Sequence, residues 1–356
     1  MRLGIIGLPQ AGKTTVFNAL TRGNQPTTMT GGRFEVHTAV VDVPDTRISR
    51  LVEMFNPRKV AYAKVTYADI AGLEAGAGKS GFSGALLNQL SQMDGFLEVV
   101  RCFDNSSVPH PMGEVDPCRD ISTVDTELLL QDLIAVERKL ERLEHESNRG
   151  AGREKALQER EAELFKKLYE SLSEEIPLRD LDLSPEEEKL LSGYGLLTRK
   201  PILLLLNVSE GQTPPEVTCQ YQRCSVALLQ GRLEMEIVQL PQDEASIFLA
   251  EYGIDEPGLD KVIHLSYDLL GLQSFFTVGE DEVRAWTVRC GATAYEAAGV
   301  IHSDLQKGFI RAEVVSYEDL LALGGLSEAR AKGRLRLEGK DYVLHDGEIM
   351  HVRFNL

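Results

Sequence analysis

The chain has 356 residues, 43% hydrophobic and 26% charged, with 31 glycines, 14 prolines and one tryptophan. At roughly 100–200 residues per domain this length gives two or three domains with a real core, and the composition excludes a disordered, collagen-like or disulfide-scaffold chain. Acidic residues outnumber basic ones 55 to 38, and the formal charge of -17 repels phosphate backbones on average, so any nucleic-acid contact needs a local basic patch. The five cysteines (Cys102, Cys118, Cys219, Cys224, Cys290) form no CxxC pair and are odd in number, the usage of a reduced intracellular protein. The aliphatic run 202–206 is far too short to span a bilayer, and the N-terminus has no apolar segment long enough for a signal peptide. A cytoplasmic protein with no membrane partner is expected.

In chain order, Arg2-Leu3-Gly4-Ile5-Ile6 reads as a buried strand broken by Gly7, and 14–20 as a helix. Apolar runs at 39–43, 63–69, 96–103 and 202–207 read as further parallel strands with helical stretches between them, the alternation of a doubly wound α/β sheet. From 123 to about 172 the texture changes. Leu129, Leu133, Val136, Leu140 and Leu143 step by fours and threes, and Leu157, Leu164, Leu168 and Leu172 continue a stripe beyond the turn-like 148–152. That spacing predicts an antiparallel helical hairpin projecting from the sheet domain. After Gly271, strand-like runs at 283–288, 309–315, 342–344 and 350–354 alternate with turns and one helix, predicting a small α+β domain. The expected domains are 1–122 with 196–272, an inserted 123–195, and 273–356.

The chemistry concentrates near the front. Gly7-Leu8-Pro9-Gln10-Ala11-Gly12-Lys13-Thr14 matches GxxxxGK[ST] between a predicted strand and a predicted helix. Glycines let backbone N–H groups wrap phosphates, and the helix N-terminus adds the positive end of its dipole. In that role Lys13 reaches the β- and γ-phosphates and Thr14 holds Mg²⁺. Asp69-Ile70-Ala71-Gly72, about 55 residues on, fits a second carboxylate for Mg²⁺ at Asp69 and a Gly72 N–H that senses the γ-phosphate. Taken alone, an Asp ending a strand is more often a turn former. Leu73 then stands where Ras-like GTPases carry a water-orienting Gln. Asn207-Val208-Ser209-Glu210 occupies the place of a GTPase Asn-Lys-x-Asp string, with Val for Lys and the longer Glu for Asp, so guanine specificity should be weakened.

These residues resemble the YchF/Obg-like ATPase family of translation-factor-class P-loop NTPases. The likeness runs nearly end to end, through 7–15, 69–73, Val100-Arg101-Cys102-Phe103, Val115-Asp116-Pro117 and 207–210. Its most specific stretch is the C-terminal one: 282–287, 299–302, 307–314, 338–342 and 350–355. The resemblance implies a Ras-like P-loop domain, an inserted antiparallel coiled-coil arm and a small ubiquitin-like TGS domain of α+β type. It implies a phosphate loop from Gly7, Gln10, Ala11, Gly12, Lys13, Thr14 and Thr15, with Mg²⁺ held by Thr14 and Asp69. Asn207, Val208 and Glu210 would face an adenine, beside a last base-side loop at Gln230-Gly231. The activity implied is slow hydrolysis of MgATP, preferred over GTP, with Lys13 and Gly72 in catalysis. The partners implied are the ribosome and ribosomal RNA, gripped by the arm and the TGS domain of a monomer. Departures fall at Gln10, where the family usually has Asn, and at Arg33, which falls at the place of the switch I Thr.

His110, between Pro109 and Pro111 in the loop after the strand at 96–103, is the candidate for the missing catalytic group, since such loops line the crevice of an α/β sheet. The alternative is a surface loop histidine. Residues 330–340 carry five basic side chains against Glu338, either an RNA-facing patch or a solvated turn. Two rival functions stay open: a GTPase of the Obg class, and a nucleotide-binding scaffold without turnover.

Overall fold

The strands of the chain, in order, are β1 (Arg2–Ile6), β2 (Val36–Asp42), β3 (Lys59–Ala61), β4 (Lys64–Ile70), β5 (Gly95–Arg101), β6 (Ile202–Asn207), β7 (Cys224–Leu229), β8 (Leu272–Thr277), β9 (Glu282–Arg289), β10 (Phe309–Val315), β11 (Arg336–Glu338) and β12 (Ile349–Phe354). The computed structural model describes residues 1–23, 36–70, 82–147, 153–217, 224–251 and 257–355. They group into two compact units, 1–39 with 66–259 and 40–65 with 260–356.

The first unit carries a six-stranded sheet in the order β2-β4-β1-β5-β6-β7, with parallel pairing of β1 to β4 and β5, of β5 to β6 and of β6 to β7. β5 and β6 are buried along their whole length, which is why they read as continuous rather than alternating apolar runs. Ile6, Ile70, Phe96 and Leu204 pack with Leu86 and Leu90 of the helix Gly84–Ser91 on one face. The expected strand at 202–207 falls on β6. That at 96–103 ends two residues early, because Cys102 and Phe103 turn away into the following loop.

Two long helices, Pro117–Ser147 and Arg153–Ser173, form the hairpin, the first starting before the expected 123. Val136, Leu164, Phe165, Leu168 and Leu172 make their seam, and Lys139 Nζ lies 3.0 Å from Glu161. Their root is polar. Asp132 accepts from Leu197 N, Thr198 N and Thr198 Oγ1 at 2.8, 2.7 and 2.7 Å. Arg179, 1% exposed, donates to Asp125 at 3.2 Å. Burial, reinforced by Asp125 and opposed by Arg179, pushes the carboxyl of Glu98 on β5 well above the usual carboxylate range.

The second unit carries a mixed sheet in the order β11-β10-β12-β8-β9-β3. Helix Ala294–Ile301, started by a Thr293–Glu296 capping box, lays Ala297 and Ala298 against Phe275, Phe309 and Ala312. Two expectations are corrected here. Residues 342–344 form no strand but a single bridge between Val343 and Thr293, since turns on both sides leave no room for a ladder. In place of one helix there are four: Ala294–Ile301, Ser303–Lys307, Tyr317–Leu323 and Leu326–Ala331. The segment 40–65 supplies β3, parallel to β9, and Arg47, which pairs with Asp346 at 2.7 Å and lies 5.1 Å over the ring of Phe276.

Cys102, Cys118 and Cys290 are free thiols, but Cys224 is disulfide-bonded, which departs from the fully reduced set expected. Among the described residues no helix is long and apolar enough to cross a membrane.

Replacing Arg179 by Met would leave Asp125 buried without its cation. Breaking a buried pair costs about 3–5 kcal/mol, so Arg179→Met should lower the denaturant midpoint of the first unit far more than Lys139→Met at the half-exposed pair with Glu161.

Candidate nucleotide-binding site

Gly7 ends β1 with φ 138°, and a Cβ there would lie 2.4 Å from Val99 O, so the chain can turn this close to β5 only as glycine. Gln10 also takes a positive φ, of 63°. Gly12, with φ 97°, caps the helix Lys13–Thr21 without any side-chain hydrogen bond, and the first turn holds no acidic residue. Orphan N–H groups at an uncapped, positively polarised helix end are an anion site. Lys13 Nζ donates to Gly7 O at 2.9 Å and Leu8 O at 2.8 Å, folded onto the carbonyls of its own loop. Burial lowers the Lys13 ammonium to about 8, against the opposing pull of Asp69.

Asp69, near the end of β4, accepts from Thr14 Oγ1 at 2.8 Å through Oδ2. Its Oδ1 is buried with no hydrogen-bond partner among the described residues. A buried carboxylate oxygen without a donor is costly. Set beside a threonine hydroxyl at an anion-binding helix end, it suits a hard cation such as Mg²⁺.

Asn207 at the end of β6 joins two loops. Its Nδ2 donates to Ala11 O at 3.1 Å and its Oδ1 accepts from Gly231 N at 3.1 Å. Next to this clamp opens a cavity of about 770 Å³ at the C-terminal edge of β5 and β6, where α/β sheets bind ligands. Gly12, Thr15, Asn207, Val208, Glu210 and Gln230 line it, all singled out from the sequence. Phe103, Asp104, Asn105 and Ser106, which the sequence did not mark as site residues, line it as well. The signal for them is their place in the loop that leaves the C-terminal end of β5, since such loops face the crevice.

His110 does not line that cavity. It is buried, not a surface loop histidine. Its Nδ1 accepts from Met112 N at 3.1 Å, which leaves Nε2–H to donate to Asp120 at 2.8 Å. Neither ring nitrogen is left to orient water in this arrangement. Gly72, Leu73 and Arg33 lie outside the described residues. Of the basic run at 330–340, Arg330 pairs with Glu313 and Arg336 with Glu348, which offsets part of its charge.

An α/β sheet in this order, parallel from β4 through β7, with a GxxxxGKT loop at an uncapped helix end and a cavity at the strand edge, defines a P-loop nucleotide-binding protein. Residues 272–355 match the family model YchF-GTPase_C, described as a protein of unknown function (DUF933). The chain is 41% identical over 365 residues to the ribosome-binding ATPase YchF of Bacillus subtilis, covering 99% of each. It is 34% identical to Obg-like ATPase 1 of Caenorhabditis elegans, covering all of this chain and 92% of that one. The solved structure of the Schizosaccharomyces pombe YchF GTPase superposes with a TM-score of 0.86 at 34% identity, over 99% of this chain and 97% of that one. The chain belongs to the YchF/Obg-like ATPase family.

Two outcomes follow from this geometry. In Gly12→Ala the new Cβ would meet Asn207 Nδ2 at 2.4 Å in a left-handed backbone, and Asn207 is held on both sides. Strain of about 1–3 kcal/mol should cut nucleotide affinity roughly tenfold or more in calorimetry, with unchanged far-ultraviolet circular dichroism. A Lys13 ammonium near 8 in the free protein rises again once phosphate oxygens face it. Above pH 8 nucleotide binding should therefore take up protons and weaken as pH rises, seen as a dependence of binding heat on buffer ionisation that Lys13→Met abolishes.

Proposed function

We propose that this chain binds a magnesium nucleoside triphosphate, ATP in preference to GTP, hydrolyses it slowly and works on the ribosome. The observation that carries the reading is the Thr14–Asp69 pair with its unpartnered carboxylate oxygen, set beside an uncapped helix end. Gly7, Gln10, Ala11, Gly12, Thr14 and Thr15 wrap the phosphates, and Lys13 exchanges the carbonyls of Gly7 and Leu8 for phosphate oxygens. Thr14 and Asp69 would hold Mg²⁺, which neutralises charge on the phosphates when bound. Asn207, Val208, Glu210, Gln230 and Gly231 take the base side. Glu210 stands one methylene away from the bidentate guanine contact an Asp would make, which supports adenine over guanine. Gly72 is assigned the γ-phosphate-sensing amide.

The ribosome, with ribosomal RNA, is proposed as partner on the strength of relatives named ribosome-binding ATPases. In this division residues 1–122 and 196–272 carry the nucleotide, while 123–195 and 273–356 serve as grips on a monomer. A second reading, binding without turnover, is favoured by one observation: both nitrogens of the expected catalytic His110 are already engaged.

Calorimetric titration with ATP and with GTP in Mg²⁺, beside Lys13→Ala, tests the reading. Tighter binding of ATP is expected, with Lys13→Ala weakening it roughly 10–100-fold for the loss of a charged hydrogen-bond donor. Equal or tighter GTP binding would return the chain to the GTPases, and ATP binding without phosphate release, with and without ribosomes, would select the scaffold.

A further inference from the structure

Arg101 closes β5 and sits in the Val100-Arg101-Cys102-Phe103 string, yet no phosphate, base or metal role falls to it. It is 2% exposed. A buried guanidinium ordinarily faces a carboxylate. This one forms no ion pair among the described residues and faces carbonyls instead. Nε donates to Phe103 O at 3.1 Å, Nη2 donates to Val108 O at 2.7 Å, and the guanidinium lies 4.7 Å over the Phe103 ring. Nη1 reaches Gln10 O at 3.5 Å, the outer limit of a hydrogen bond.

The two short contacts fall on the two ends of one loop. Between them run Asp104, Asn105 and Ser106, which with Phe103 line the cavity together with Asn207 and Glu210. A rigid fork that bonds both ends of a loop fixes its width, which a single-point donor cannot do. His110, held by Met112 N and Asp120, anchors the exit of the same loop on helix Pro117–Ser147. The weak contact to Gln10 argues that the base-side wall, and not the phosphate loop, is what Arg101 holds.

We propose that Arg101 is a positioning residue for base recognition: it holds the wall Phe103–Ser106 against the base of the bound nucleotide and leaves phosphate binding alone. The proposal rests on the nucleotide reading of the cavity. Its test compares ATP with inorganic tripolyphosphate, which offers phosphates and no base, each titrated with Mg²⁺ into the full chain and into Arg101→Met and Arg101→Lys. ATP affinity should fall roughly tenfold in Arg101→Met and less in Arg101→Lys, while tripolyphosphate affinity stays within about twofold. An equal fall for both compounds, or no fall for either, would overturn the assignment.

Should the buried substitutions prevent folding, hydrogen exchange of the amides at 104–108 in the unaltered chain decides. Slowing by ATP and not by tripolyphosphate supports the proposal, and equal slowing sinks it. An unaltered chain that binds neither compound overturns the nucleotide reading and this assignment with it. ATP binding that is unaffected in Arg101→Met overturns this assignment alone.

Discussion

A single buried carboxamide holds the site together. Asn207 donates to the phosphate loop at Ala11 and accepts from the base-side loop at Gly231. Two loops that are distant in sequence are thereby fixed relative to one another. The clamp works because Asn207 sits on the last residue of a strand buried on both faces and paired on both edges, so its backbone has nowhere to go. Gly12 has to be glycine for the same reason: a side chain there would displace the amide.

Charge is handled differently in the free site and at the root of the helical hairpin. At the site, Lys13 is desolvated and bonded to carbonyls, so its charge is poorly compensated until an anion arrives. At the root burial also disfavours charge on Asp125 and Asp132, but Arg179 and the backbone at 197–198 already oppose it from within the protein. The first arrangement stores binding energy for a ligand, whereas the second spends it on fixing geometry.

Much of this was legible in sequence, for reasons that differ by element. β1, β6 and the GxxxxGKT loop were legible because buried parallel strands are unbroken apolar runs and because phosphate binding demands glycines at fixed places. The seam of the hairpin was legible from its spacing except at Leu157, which is exposed, and at Phe165, which joins it. β3 and the packing of 40–65 with the C-terminal unit were not: three residues, Lys59, Val60 and Ala61, carry no periodic signal, and their partner β9 is over two hundred residues away. The strand expected at 342–344 was apolar enough but, held between turns, makes only the bridge from Val343 to Thr293. The place of His110 in a strand-end loop was legible, whereas its burial and its bonds to Asp120 and the Met112 amide were not, since neither partner is marked by the sequence around it.

The polar root of the hairpin has a mechanical meaning. Apolar seams tolerate sliding, because dispersion is nearly direction-free, while hydrogen bonds to Asp132 and Arg179 break when a helix rolls by a fraction of a turn. Helix Pro117–Ser147 has 31 residues and so extends about 46 Å at the rise of an α-helix. The root bonds at Asp132 lie about 22 Å short of Ser147, so a tilt of about 5° there displaces the far end by about 2 Å. These directional bonds fix the angle of the helix at its root, and they do so beside Glu98 of β5 and the segment 197–198 that leads into β6, the two strands whose ends hold the cavity.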